Sequence, residues 1–138
     1  MKSINQEMLC FSTIGVIVLL IISNMMAPSD QAPLTKTRIV LQNRIPNQSA
    51  LIHCWSSEND LGSHKLGPSA IFSWHFKVNI WGSTKFVCDF TTSYYSLMRS
   101  TVFNNNISGI CHEYCLWAIT KDHGPCLVGH ARGLLCYY

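Results

Sequence analysis

Six of the seven cysteines lie after residue 50, downstream of a short apolar leader. The leader runs over residues 8–22, Met-Leu-Cys-Phe-Ser-Thr-Ile-Gly-Val-Ile-Val-Leu-Leu-Ile-Ile, and is preceded by Lys2. A positive start, an apolar run of about 7–15 residues and a small-residue end describe a secretory signal peptide. A membrane span needs about 20 apolar residues, so the run is too short to stay in a bilayer. The sequence predicts a signal peptide over 1–27, with cleavage between Ala27 and Ala32, and Cys10 leaves with it. Cys54, Cys88, Cys111, Cys115, Cys126 and Cys136 then meet an oxidising compartment, where thiols pair.

The remaining chain of about 110 residues is the size of one domain. Residues 28–36, with Pro28, Ser29, Pro33 and Thr35, read as a flexible lead-in, and 37–138 as the folded domain. Only 12% of residues are charged and the formal net charge is +3. The basic residues are scattered without a Lys/Arg run, whereas a nucleic-acid binder concentrates them. That pattern argues against a nucleic-acid partner and allows at most weak attraction to acidic cell-surface material. Asn47-Gln48-Ser49 and Asn106-Ile107-Ser108 are sequons. Behind a signal peptide they are candidate glycan sites on surface loops.

Short apolar runs broken by turn residues fill the domain, and no apolar stripe of helical period lasts three turns. This texture predicts an all-β fold. Strands are expected over 38–43, 50–55, 71–77, 84–90, 96–103 and 114–120, with short final segments at 126–128 and 134–138. The clearest is 71–77, where Phe72, Trp74 and Phe76 point one way and Ser73, His75 and Lys77 the other. Residues 56–62 read as a turn and 104–109 as a polar loop. Seven to eight strands in about 100 residues suit a disulfide-stapled, two-sheet β-sandwich.

Alternation places Cys54, Cys88 and Cys115 on core faces, where facing positions of two sheets come close enough to bridge. Six cysteines allow 15 pairings. The expected set joins Cys126 to Cys136 and lets Cys54 and Cys88 share Cys111 and Cys115. Cys111-His112-x-x-Cys115 with His53-Cys54 offers raw material for zinc, but paired C-x-x-C knuckles are absent and the compartment favours disulfides.

Four motifs in order carry a family resemblance. They are His53-Cys54-Trp55-Ser56 leading to Asp60-Leu61-Gly62, Phe72-Ser73-Trp74-His75-Phe76, Gly82-Ser83-Thr84-Lys85-Phe86-Val87-Cys88, and Cys111-His112-Glu113-Tyr114-Cys115-Leu116-Trp117. Over residues 38–122 the chain resembles the plant self-incompatibility (S1) homologues. Trp55 and Lys85 depart from the family pattern, and Cys126 and Cys136 extend its four common cysteines. The resemblance implies a secreted β-sandwich without catalytic residues or cofactor. It would be a monomeric ligand for a plant cell-surface membrane receptor, as in pollen–pistil recognition. Recognition would fall to exposed loops, here 43–49, 58–66 and 104–110. The alternative on the same scaffold is a secreted cysteine-rich defence or cell-wall-associated binding protein.

The histidines His53, His64, His75, His112, His123 and His130 raise the question of a ribonuclease-like acid–base pair. No two share a spacing that forces them together, and no Gly-x-Ser-x-Gly elbow exists. Asp60-Leu61-Gly62 reads as turn geometry, since a calcium loop needs more oxygen ligands.

Overall fold

In a computed structural model, residues 15–18, 36–129 and 135–137 are described. The signal peptide and lead-in fall outside these residues, except for a helical turn at 15–18 and the first residue of β1, Lys36. His130 also lies outside them. Among the described residues no helix is long and apolar enough to cross a membrane.

The alternating segments become strands of an all-β fold. Their order is β1 (Lys36–Asn43), β2 (Ala50–Trp55), β3 (Asp60–Leu66), β4 (Ile71–Lys77), β5 (Phe86–Thr91), β6 (Ser96–Phe103), a short helix α1 (Asn105–Cys111), β7 (Tyr114–Thr120), β8 (Gly124–Val128) and β9 (Leu135–Cys136). One sheet has the order β4-β1-β7-β8-β9 and the other β3-β2-β5-β6. All pairings are antiparallel except β1 with β7. The inner faces share one core: Ile39, Leu41, Trp117 and Ile119 from the first sheet meet Ile52, Phe90, Val102 and Phe103 from the second. Fully burying each such side chain contributes about 1.5–3 kcal/mol. Trp117 keeps its indole N–H satisfied by donating to Val102 O at 3.0 Å, and its ring stacks on Tyr137.

Two elements differ from the sequence reading, which makes nine strands among the described residues instead of seven or eight. Residues 60–66, expected to begin in a turn, form β3 on the edge of the smaller sheet. Its side chains are mostly polar and Leu66 is the one fully buried, so Asp-Leu-Gly-Ser-His-Lys-Leu shows no apolar alternation. Residues 105–111, expected as loop, form α1. The Asn104 side chain caps it by accepting the Ile107 N–H at 2.8 Å, and Ile107 and Cys111, one turn apart, are its buried residues.

The disulfides also differ. Cys54 bonds Cys88, Cys111 bonds Cys115, and Cys126 bonds Cys136. Cys54 and Cys88 do not share Cys111 and Cys115, and no bridge joins core positions of facing sheets. Cys54 and Cys88 are direct partners in the β2–β5 ladder, with Cα atoms 4.1 Å apart. Cys126 and Cys136 are direct partners in the β8–β9 ladder. Cys111 ends α1, and His112 turns the chain with φ 55°. That reversal brings Cys111 back within 5.1 Å of Cys115.

A candidate recognition end

The sandwich presents different loops at its two ends. At one, residues 44–49, 67–70, 92–95 and 121–123 are tied together. Ser69 N–H donates to Asn43 O at 2.8 Å, Ser93 Oγ to Gln48 Oε1 at 2.9 Å, and Tyr95 O–H to Thr120 O at 2.8 Å. Desolvation by burial pushes the Tyr95 hydroxyl up to about 12. At the other end stand the β2–β3 turn (56–59), the β4–β5 loop (78–85) and the β6–β7 connection that carries α1. A groove of about 350 Å³ runs between the first two, walled by Ser56, Glu58, Asn59, Lys77, Asn79 and Lys85, among others. A smaller one links residues 82–85 to Asn104, Asn105 and Asn106.

Each loop at this second end is braced from within. In the β2–β3 turn Ser56 Oγ accepts the Asn59 N–H at 3.1 Å. Asp60 Oδ1 accepts the Gly62 N–H at 2.8 Å and lies 2.7 Å from His53 Nε2. Gly62 has φ +78°, which only glycine takes without strain. The Gly62 N–H and then the His53 ring hold the Asp60 carboxyl below its ordinary value. A depressed carboxyl stabilises the fold above its unfolded pKa of about 4, and the contribution is lost as pH falls through the folded value. Asp60→Asn should therefore lower the melting temperature slightly at pH 7, the gap from wild type closing on acidification in a pH series of thermal melts. Asp60 is exposed, so the effect is smaller than that of any core change.

The β4–β5 loop is organised by Asn79. Its N–H donates to Thr84 Oγ1 at 2.9 Å, its Nδ2 to Ser83 Oγ at 2.7 Å, and its Oδ1 accepts the Ser83 N–H at 2.9 Å. Gly82 has φ +67°, and a Cβ there would stand 3.3 Å from Asn105 Oδ1, so the loop fits closely against α1. This scaffold holds Ile80 and Trp81 out in solvent, 75% and 84% exposed.

These motifs and their order match a known family over nearly the whole described domain. The family model for plant self-incompatibility protein S1 matches residues 38–136. The chain belongs to the plant self-incompatibility S1 family. Among its relatives, S-protein homolog 5 of Arabidopsis thaliana is 32% identical over 93 residues, 67% of this chain and 71% of the relative. S-protein homolog 29 and S-protein homolog 3 of the same plant are each 31% identical, covering 71% and 75% of this chain and 72% of each relative.

The S1 motifs acquire structural roles here. His53-Cys54 starts the Asp60 bracket and the Cys88 bridge. Phe72, Trp74 and Phe76 line the inner side of β4, where Trp74 and Phe76 pack on Phe86 at ring separations of 5.4 and 4.6 Å. Cys115 and Trp117 face the core from β7.

Of the three loops expected to carry recognition in this S1 chain, the first stands apart from the 56–59 turn and α1 but meets the far end of β3, where Leu66 O accepts from Asn43 Nδ2 at 3.0 Å. Residues 44–49 sit at the opposite end, and Asn43 is fully buried. The second range is largely strand β3 and the third is largely α1. Sequons Asn47 and Asn106 are both exposed, one at each end. Among the described residues, His53 and His64 go to separate partners. His53 meets Asp60, and His64 stacks on Phe72 at 4.0 Å with Nε2 2.8 Å from Leu61 O. His75 and His123 are exposed, and His112 occupies the α1 C-cap. Among the described residues no three His, Cys, Asp or Glu side chains converge as metal ligands. The segment between the expected strands 71–77 and 84–90 is not among the loops that the sequence marks for recognition, yet it displays Trp81. The signal was a pair of large apolar residues inside an Asn-x-x-Gly-Ser turn, where polar residues are the norm.

Proposed function

We propose that this S1-family protein is exported, loses its leader between residues 27 and 32, and acts outside the cell as a non-enzymatic, monomeric ligand. Its partner would be a plant cell-surface membrane receptor of the kind that serves pollen–pistil recognition. The six paired cysteines suit an oxidising exterior. Asn47 and Asn106 are the glycan positions in this reading.

The observation that carries it is Trp81. The fold gains little from an indole this exposed, and with Ile80 beside it the loop tip presents an adjacent apolar pair, which suits an interaction site. A tryptophan on a pre-braced loop is a suitable binding anchor, because little ordering entropy remains to be lost. Exported, oxidised, labelled protein is expected to bind plant cell-surface membranes saturably. Trp81→Ala should weaken that binding by about 2 kcal/mol, roughly thirtyfold, with stability unchanged within about 0.5 kcal/mol. Equal binding by the variant would remove the assignment. Cleavage of RNA or glycans by the same preparation, abolished by one His→Ala change, would replace the ligand reading with a hydrolase.

A further inference from the structure

Basic residues that are scattered in the sequence meet on one surface of the fold. The antiparallel register of β1 and β4 sets Lys36 directly opposite Lys77, and Arg38 opposite His75. All four are exposed and share the outer face, while the alternate residues Ile39, Trp74 and Phe76 turn to the core. Opposite positions stand about 5 Å apart and successive ones on a strand face ~7 Å, so the four groups make a compact quadrilateral. Lys77 also walls the groove beside Lys85, which carries the positive strip around the end of the sandwich. Next to Arg38 in the parallel register stands Tyr114, 53% exposed.

Among the described residues none of these basic side chains pairs with a carboxylate. Among the described residues the only ion pair is His53–Asp60. Arg38 donates to the Ser73 hydroxyl at 3.2 Å, and Glu58 stands among the other groove residues with no ion pair to Lys77 or Lys85. Like charges placed directly opposite weaken a sheet, so the Lys36–Lys77 pair brings the fold no gain. An anionic ligand would turn that repulsion into attraction.

We propose that this strip binds a carboxylated polysaccharide, a polymer of uronic acid. The surface is open, with the β1–β4 groups exposed and Lys85 beyond Lys77, which suits an extended chain better than a small enclosed anion. Three of its cations are lysines, compact point charges that pair with single carboxylates. The Tyr114 ring beside them offers an apolar face for the C–H side of a sugar ring. A nucleic acid, with its denser charge, would call on more than one strip of a chain whose net charge is only +3. That uronate is the polyanion met in nature rests on the export proposed above. The binding itself does not.

The test uses the exported, oxidised protein on immobilised polygalacturonate, with the fully methyl-esterified polymer and a single-stranded RNA as comparators. Binding to polygalacturonate is expected, with loss on raising salt from about 0.05 M to about 0.5 M as screening shortens. Lys36→Ser, Lys77→Ser and Lys85→Ser together should weaken it roughly tenfold, and Lys77→Gln alone about threefold, the sizes typical of exposed charge contacts. The triple change Arg44→Ser, Lys65→Ser and Lys121→Ser removes the same charge elsewhere and should leave binding within about twofold. Relief of the Lys36–Lys77 repulsion should keep the first triple variant at least as heat-stable as wild type. No saturable binding, equal loss in both triple variants, or equal affinity for the methyl ester would overturn the proposal, and so would tighter binding to RNA. Trp81→Ala should leave this affinity unchanged, so failure here and failure of the receptor reading are told apart.

Discussion

Replacing Cys54 and Cys88 together by alanine is expected to lower the melting temperature by about 15–30 °C, the largest loss among the three disulfides. The ranking comes from loop-closure entropy. A bridge of sequence separation 34 restrains the unfolded chain by about 4 kcal/mol, against about 3 kcal/mol for separation 10 and about 2 kcal/mol for separation 4. Burial adds to the first. Both Cys54 and Cys88 are fully buried in the core, so deleting their sulfurs also leaves unfilled volume. Alanine pairs at 111/115 and 126/136 provide the comparison, measured by thermal melts on oxidised protein. Partial reduction should follow access: Cys136 is only half-buried, so the 126–136 bridge should open before 54–88. A 54/88 variant that melts above the 111/115 variant would show that the β2–β5 ladder holds itself together without its clasp.

The sequence made the strands legible where burial is one-sided. Phe72, Trp74 and Phe76 alternate because β4 has a core face and a solvent face, and a two-residue period survives in any local window. β3 has no such record, because Leu66 is its one buried side chain and the strand is held by backbone pairing to β2. α1 shows only two buried positions, too few to mark a helical period. The cysteine pairing and the cationic strip were hidden for a shared reason. Cys54 meets Cys88, and Lys36 meets Lys77, through strand register. Register is set by which strands neighbour each other, and that is a property of the whole sandwich. The candidate site was legible only in part for the same cause. The β2–β3 turn and the 104–110 segment were singled out, but the loop standing between them, with Trp81, joins them only through the fold.

Asn43 shows the same dependence at the level of one side chain, and its loss should be felt across both sheets. It ends β1 and is fully buried. Its Nδ2 donates to Gln48 O at 2.7 Å, Leu66 O at 3.0 Å and Gly67 O at 3.1 Å, and its Oδ1 accepts the Ile45 N–H at 3.0 Å. One amide thus ties the larger sheet, the 44–49 turn and the end of β3 in the smaller sheet. Asn43→Ala should cost about 3 kcal/mol, because buried groups left without partners lose about 1–3 kcal/mol each. Asn43→Asp separates hydrogen bonding from shape. It keeps the volume and the acceptor but points a carboxylate at three carbonyl oxygens, which raises its folded pKa. An acid with a raised folded pKa gives full stability below its unfolded value of about 4 and loses it as pH rises through the folded one. Asn43→Asp should therefore unfold more easily than Asn43→Ala at pH 7 in urea and recover toward it on acidification. Equal stability of the two variants at every pH would mean that the amide's donors carry none of the tie between the sheets.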